Sequence, residues 1–540
     1  MKSLIELQQY RKCIVLFMTG VLCCATAIIV YIVDPVKLIV QNSMTMKPGS
    51  MIFDVWKKPP IEVLLNVYIF NITNPDAFLA GEENLKINEV GPYVYQEILE
   101  NQNVTWNENG TLSYYPRRTV LFRGDLSVGD PHGQNITVPN IPMLGISSAI
   151  RNAGFFVNYP FVQLANLLNS QPILHLSVHD YLWGYDDNLV NLAGSVVPGY
   201  INFRKFGLLD RMYDEGDNLI NMNIKNRKDM INEVGRYLSI EMINGSPGLS
   251  NWGYVKREGN ETESDRNTKC NRLQGATEGT VFPANMDPKA VFRVFRKAFC
   301  RPVPITFQKK VVAAGLPAYQ YTIVDNFADP PEENPDNECY CRNNDCLKKG
   351  LMDLTPCYYN IPAAASLPHF LNADPTLANG IEGLSPDAEK HSTVIQLQPN
   401  IGIPMYVHSR LQTNLIMKET RYNSKIKPFN NLVVPLFWTD LQIPKLPADL
   451  MLLLRLALVI GPISQLVLVI ILALAGAVCV CWALARTVMI VHEHQQEEAR
   501  RDKERRDSAD LRIPLGYGQY TAIRILPAIK KITSKTDLFM

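Results

Sequence analysis

The chain has 540 residues, 47% of them apolar and 19% charged, with 53 Lys and Arg against 52 Asp and Glu. It is too apolar for a disordered chain and far too long to need crosslinks for want of a core. A formal net charge of +1 gives no whole-molecule case for nucleic acid, which a strongly basic domain would announce.

In chain order, the N-terminal segment 1–12 carries Lys2, Arg11 and Lys12 against Glu6, and an uncharged run, Cys13 to Val33, follows it. At about 1.5 Å rise per residue that run crosses a hydrocarbon core of roughly 30 Å, and it outlasts the apolar stretch of a cleaved signal peptide. The basic flank keeps the N-tail cytoplasmic. Residues 34–449 form one large domain with no internal repeat. Ile61 to Ile72 reads as a strand buried on both faces. Met143 to Asn169 has helical spacing through Phe161, Leu164, Leu167 and Leu168. Pro288 to Phe299 does too: Phe292, Phe295 and Phe299 form its stripe, with Arg293, Arg296 and Lys297 largely off it. Thr393 to Leu397, Met405 to Met417 and Leu432 to Trp438 are further strands, which Pro404 and Pro435 confine to edges or breaks. Strands at both ends around a helical insertion predict an α+β domain dominated by sheet.

A second uncharged run, 456–485, lies between Arg455 and Arg486. It is longer than a perpendicular span requires, so tilt is expected, with Pro462 at its outer turn and Arg455 snorkelling to the surface. The tail 486–540 carries the cluster Arg500, Arg501, Lys503, Arg505 and Arg506, so both termini are expected in the cytoplasm. The sequence therefore reads as a two-span hairpin. Six N-x-[ST] sequons, at Asn71, Asn103, Asn109, Asn135, Asn244 and Asn260, all fall on the exoplasmic side.

Cys270, Cys300, Cys339, Cys341, Cys346 and Cys357 also lie on that side, while Cys13, Cys23, Cys24, Cys479 and Cys481 sit in or beside the spans. An even number in an oxidising compartment favours disulfides over a zinc site at Cys339, Cys341 and Cys346, but spacing selects no pairing. Enzyme motifs fail: His175 and His179 have i,i+4 spacing without the adjoining Glu of a zinc protease, and no G-x-S-x-G, P-loop or G-x-G-x-x-G occurs. Asp186-Asp187 reads as a turn after Trp183-Gly184-Tyr185. The expectation is a non-enzyme without cofactor or metal. In the tail, Tyr520-Thr-Ala-Ile523 fits Y-x-x-Φ, a signal that an adaptor of the clathrin type reads as an added strand. Cys13, Cys479 and Cys481 are palmitoylation candidates.

Several longer motifs occur in one order: Gly91-Pro-Tyr-Val-Tyr95, Leu182-Trp-Gly-Tyr185, Gly315-Leu-Pro-Ala-Tyr319, Glu333 to Cys341, Gly350-Leu-Met-Asp-Leu-Thr-Pro-Cys357, Ser366 to Leu371 with Ala373-Asp-Pro375, and Arg410 to Asn414. Together they resemble the class B scavenger receptor family. The resemblance implies an antiparallel β-barrel-like ectodomain with an apical helical bundle around Leu144 to Trp183, and an apolar tunnel leading from it towards the bilayer. It implies the disulfides Cys270–Cys339, Cys300–Cys357 and Cys341–Cys346. Some relatives carry a ligand-contacting lysine at the apex. Here Asn166 to Leu176 has no lysine or arginine, leaving His175 there and Arg151 nearby as basic candidates, with Lys225, Arg227 and Lys228 as a further cluster.

The implied function is a plasma-membrane receptor that binds lipid, lipoprotein-like or anionic ligands and mediates uptake or lipid transfer. The alternative is an endosomal or lysosomal membrane protein that sorts a soluble enzyme or exports lipid. The expected partners are lipids and lipid-carrying particles, with a homo-oligomer left open and no nucleic acid.

Overall fold

The computed structural model describes residues 2–196, 199, 201–214, 216, 218–225, 237–256, 259, 264–273, 275–342 and 345–509. Two units emerge: one comprises the residues up to Leu38 and from Ile460 onward, the other Ile39–Val459.

The larger unit is built on one mainly antiparallel sheet. Its longest path runs Phe292–Val294, Val303–Ala313, Leu316–Ile323, Val394–Gln398, Ile403–Ile416, Val433–Ile443, Val63–Ile72, Leu85–Trp106, Thr111–Phe122, Ile220–Asn223 and Ile240–Ile243. The first and last strands both bond to Ala276-Thr277. Ile240 N–H donates to the Ala276 carbonyl at 2.7 Å, Thr277 N–H donates to the Arg293 carbonyl at 2.8 Å, and Phe295 N–H donates to the Thr277 carbonyl at 2.9 Å. Main-chain hydrogen bonds thus run round the whole path, although among the described residues no ring closed by strand ladders alone is found.

Strand Val63–Ile72 is central because its β-branched and aromatic residues are buried on both faces, with Val67 and Ile69 fully covered. Pro404 and Pro435 each sit where the ladder slips register, opposite Leu397 and Asn414 respectively. A residue without an N–H is accommodated at such an irregularity. Met143 to Asn169 forms two helices, Ile141–Ala149 and Phe155–Leu167, divided at Gly154 with φ +76°. The first is capped by Asn140, whose side chain accepts the Met143 N–H at 3.1 Å.

Pro288 to Phe299 is not the expected helix. Phe292–Val294 is a strand paired with Val303–Ile305, and only Lys297–Phe299 makes a short 3₁₀ turn. Phe292 packs edge-on against Phe282 and Tyr321, so tertiary contacts override the helical spacing. His175 and His179 do not share a helix face either. His175 lies on strand Ile173–Ser177, whereas His179 lies in helix Val178–Trp183, which Ser177 caps. The Asp186-Asp187 pair is likewise more than a turn: Asp187 accepts the Leu189 and Val190 N–H groups at 2.9 and 3.1 Å and so starts helix Asn188–Val196.

Disulfides join Cys270 to Cys339, Cys300 to Cys357 and Cys341 to Cys346. In the smaller unit, helices Lys2–Val33 and Gly461–Ala509 pack together. Gly20 and Gly476 permit the close approach: a Cβ on Gly20 would lie 2.8 Å from the Gly476 carbonyl oxygen. The Gln465 side chain accepts the Val36 N–H at 3.0 Å and donates to Asp34 at 3.1 Å. Gln8–Ser43 and Ala448–Asp507 are each long and apolar enough to cross a bilayer. A wide π-type turn, Leu456–Ile460, immediately precedes Gly461 and Pro462.

Candidate functional site

Alternate residues of neighbouring strands line two cavities in succession. Val407 and Ser409, with Leu441 and Ile443 on the next strand, line the first, of about 440 Å³. Leu411, Thr413 and Leu415, with Phe437 and Thr439, line the second, of about 80 Å³. Phe299 lines both. The first also touches Pro59, Pro60 and Ile61, where the chain enters the sheet, and the second touches Ile141 and Leu208 of the helical insertion.

A knot of charge, Glu97, Arg118 and Arg296, lines the first cavity. Glu97, on strand Leu85–Trp106, is 7% exposed. Arg296 donates to both Glu97 carboxylate oxygens at 2.9 Å, and the Tyr213 hydroxyl donates to one of them at 2.7 Å. Arg118 Nε lies 3.6 Å from Glu97 Oε1. Strand register explains the last contact: Glu97 faces Val120 and Leu99 faces Arg118, so Glu97 and Arg118 are diagonal neighbours. Burial alone would raise the Glu97 pKa. The guanidinium groups of Arg296 and Arg118 and the Tyr213 hydrogen bond outweigh it and hold the carboxyl below its usual range. The same burial, reinforced by Glu97, pushes the Tyr213 phenol well up. Glu278 lines the first cavity too and accepts the Tyr114 hydroxyl at 2.6 Å. Desolvating such a set costs several kcal/mol per ion, repaid only while the partners stay together.

A second cluster joins the exposed Glu89 to the buried His369 and His391, whose candidate ligand atoms lie within 4.8 Å of one another. His369 Nε2 is 2.8 Å from Glu89, which also accepts the Trp438 indole N–H at 2.7 Å. Both histidines accept backbone N–H groups at Nδ1, His369 from Ser385 at 3.1 Å and His391 from Asp387 at 2.9 Å. The neutral rings therefore carry their proton on Nε2, which makes them hydrogen-bond donors rather than metal ligands. Burial is the leading influence on Glu89 and would raise it, but the bonds from His369 and Trp438 bring its pKa below the ordinary value. Burial, with His369 adjacent, lowers His391 to about 4.

The basic candidates do not converge. Arg151 borders an open surface cavity of about 770 Å³ with Lys348, Lys418, Arg421 and Asp345, and Lys418 pairs with Asp345. His175 lies elsewhere, its Nδ1 2.9 Å from the Thr137 hydroxyl, and Lys225 packs against Gly110. Arg227 and Lys228 lie outside the described residues, as do Asn260, Tyr520 and Ile523. Asn103, Asn109, Asn135 and Asn244 are exposed, whereas Asn71 is half-buried and its amide donates to Asn88 at 2.7 Å. Cys13 is buried, Cys479 half-buried and Cys481 exposed.

Glu97, Arg118 and Tyr213 escaped the sequence reading, which named Arg296 only as one of three basic residues off a helical stripe. One signal was present: Tyr93, Tyr95, Glu97 and Leu99 share a strand face, so a carboxylate stands in phase with three apolar side chains. Arg296 was hidden by the helical reading of its segment.

Two long apolar helices near the chain ends, each able to cross a bilayer, and a disulfide-bonded sheet domain in the chain between them are the architecture of a membrane-embedded protein. Residues 16–487 match the CD36 family, and the chain belongs to that family. It is 29% identical over 424 residues to scavenger receptor class B member 1 of Rattus norvegicus, covering 78% of this chain and 79% of that protein. It is 29% identical over 408 residues to lysosome membrane protein 2 of Homo sapiens, covering 74% and 79% respectively.

Proposed function

We propose that the protein is a membrane glycoprotein of scavenger-receptor type that binds lipid or lipid-carrying particles through residues 34–449 and passes lipid along the interior of its sheet. The observation that carries this reading is the pair of cavities on one continuous strand face, one at the chain's entry into the sheet and one beneath the helical insertion. A lipid exposed to water costs about 0.8 kcal/mol per CH₂, so an apolar sleeve lowers the barrier to transfer without any bond-making. In this reading both termini are cytoplasmic, the sequons carry glycans, and the protein works at the plasma membrane with access to endosomes.

Mass spectrometry of the full-length protein, purified in a non-lipid detergent from lipid-replete cells, tests it. Co-purified lipid in near-stoichiometric amount is the expected result. Repeated preparations without lipid would overturn the reading.

A further inference from the structure

The hairpin between strands Val303–Ala313 and Leu316–Ile323 turns through Ala314 and Gly315, at φ +48° and +81°. Two successive left-handed residues make the tight turn that Asn-Gly or Asp-Gly ordinarily supplies, because a short polar side chain tolerates that region and meets water. Here an alanine takes the first position. The surrounding run, Val311-Val-Ala-Ala-Gly-Leu-Pro-Ala318, carries no polar side chain, whereas a turn facing water is normally polar.

The two faces of the tip have different surroundings. Ala313, Leu316 and Ala318 are buried in one cluster with Leu446, Leu450 and Leu454. Val312 and Pro317 are register partners on the opposite face, and both are exposed, Val312 at 75%. Lys310 and Tyr319 form the next pair on that face, with the Lys310 ammonium 6.0 Å from the Tyr319 ring. From the tip backwards, apolar side chains thus come first and a lysine and a tyrosine second, the order that suits the border between hydrocarbon and head groups.

A neighbouring helix ties the tip to the start of a span. The Arg455 guanidinium donates to the Ala314 carbonyl at 3.4 Å. Arg455 ends helix Ala448–Arg455 and is the last charged residue before the uncharged run 456–485. That helix buries Leu450 and Leu454 yet leaves Leu452 and Leu453 exposed, so it is apolar on both sides, as a helix bordering lipid is.

We infer that the hairpin tip 311–318 is a membrane-contact site, which sets Val312, Ala314 and Pro317 into the border of the leaflet on the sheet domain's side. The inference rests on the run 456–485 crossing a bilayer and does not depend on lipid passage through the cavities. Hydrocarbon removes the exposed valine and proline from water, and it explains the alanine, since an asparagine at 314 would carry its amide out of water. Arg455 supplies the Ala314 carbonyl with a donor that lipid could not offer.

The test uses the full-length protein in phosphatidylcholine nanodiscs that contain a phosphatidylcholine with an acyl-chain diazirine, with adducts mapped by peptide mass spectrometry. Residues 311–318 should be labelled about tenfold more than Val128, an exposed valine of strand-free chain, the ratio that burying one valine-sized side chain sets. Val312→Asp, made where the side chain stands in the open, should lower tip labelling about tenfold while labelling at Ile471 is unchanged. Label at Ile471 with none at the tip, whether water or a second copy covers it, would overturn the contact and leave the span standing. Equal labelling of the tip and Val128, or tip labelling that Val312→Asp leaves unchanged, would overturn it as well. No label at Ile471 would overturn the span itself, and the membrane contact with it.

Discussion

The terminal helices and the sheet treat apolar side chains in opposite ways. On the helices Leu22, Ile32, Leu474 and Trp482 are 67, 72, 63 and 65% exposed, whereas Val67, Ile69 and Leu85 of the sheet are fully buried. Outward-facing leucine and isoleucine at that density are stable only where hydrocarbon is the solvent. Polarity divides the two regions equally sharply. The helices hold no charged residue between Cys13 and Val33 or between Leu456 and Ala485. The sheet domain carries Glu97, Arg118 and Arg296 in its interior, each surrounded by partners. A bilayer excludes charge, while a folded interior accepts charge that is knotted.

The sharpest way to break that comparison is to undo the knot. Glu97→Ala leaves Arg118 and Arg296 buried without their carboxylate and should cost about 4 kcal/mol, the range measured when one partner of a buried ion pair is removed. Chemical denaturation of the purified chain would read the loss. Stability within about 1 kcal/mol of wild type would show that water already reaches the cluster.

The next effect carries the test to the helices. Ile471 is 57% exposed on helix Gly461–Ala509. Ile471→Arg should oppose insertion by about 3 kcal/mol, seen as a larger carbonate-extractable fraction and altered glycosylation mapping. An unchanged membrane fraction would place that helix outside the bilayer.

How much of this was legible beforehand follows the same division. Both candidate spans could be read directly, because charge exclusion over a helix of that length has few other causes. The strands around Ile61 to Ile72, Met405 to Met417 and Leu432 to Trp438 were legible as β-branched runs, and the two prolines marked real irregularities in pairing. Phe292, Phe295 and Phe299 misled, since three phenylalanines spaced for a helix also suit a strand followed by a tight turn packed on aromatic neighbours. The knot was hardest to see. Its members come from positions 97, 118, 213 and 296, and nothing in local spacing announces that a strand, its neighbour, a helix and a turn will meet. Only the carboxylate in phase with Tyr93, Tyr95 and Leu99 hinted at it.

A smaller effect probes how the terminal helices pack. A Cβ on Gly476 would lie 2.5 Å from Cys24 Sγ and 2.8 Å from the Gly20 carbonyl oxygen. Gly476→Leu should therefore separate the helices and cost about 2 kcal/mol through overpacking, with Gly476→Ala intermediate. Thermal unfolding in nanodiscs would rank the three proteins. Equal midpoints would mean that the helix crossing adds nothing to stability.

The last predicted effect is a pH dependence of the sheet domain, absent at neutral pH and growing on acidification. Burial, with His369 alongside, lowers the His391 pKa from 6.5 to about 4, against the opposing pull of Glu89 and Asp387. Between those two values the unfolded chain takes up a proton at His391 that the folded chain does not. Folding stability must therefore rise with pH across this window and fall as the solution is acidified from neutrality towards pH 4. Glu89 acts lower down: its folded pKa is depressed, so its contribution is fully present above the ordinary carboxylate value and is lost as pH falls from there through the depressed folded value. His179, also lowered by burial and by His132, adds a slope of the same sign from another part of the domain. His391→Gln should remove the His391 share alone, flattening the midpoint-against-pH curve between about pH 6.5 and 4.5 while leaving a residual slope from His179. A curve unchanged by the substitution would mean that His391 is already solvated, and that the carboxylate–histidine cluster is looser than the Glu97 knot.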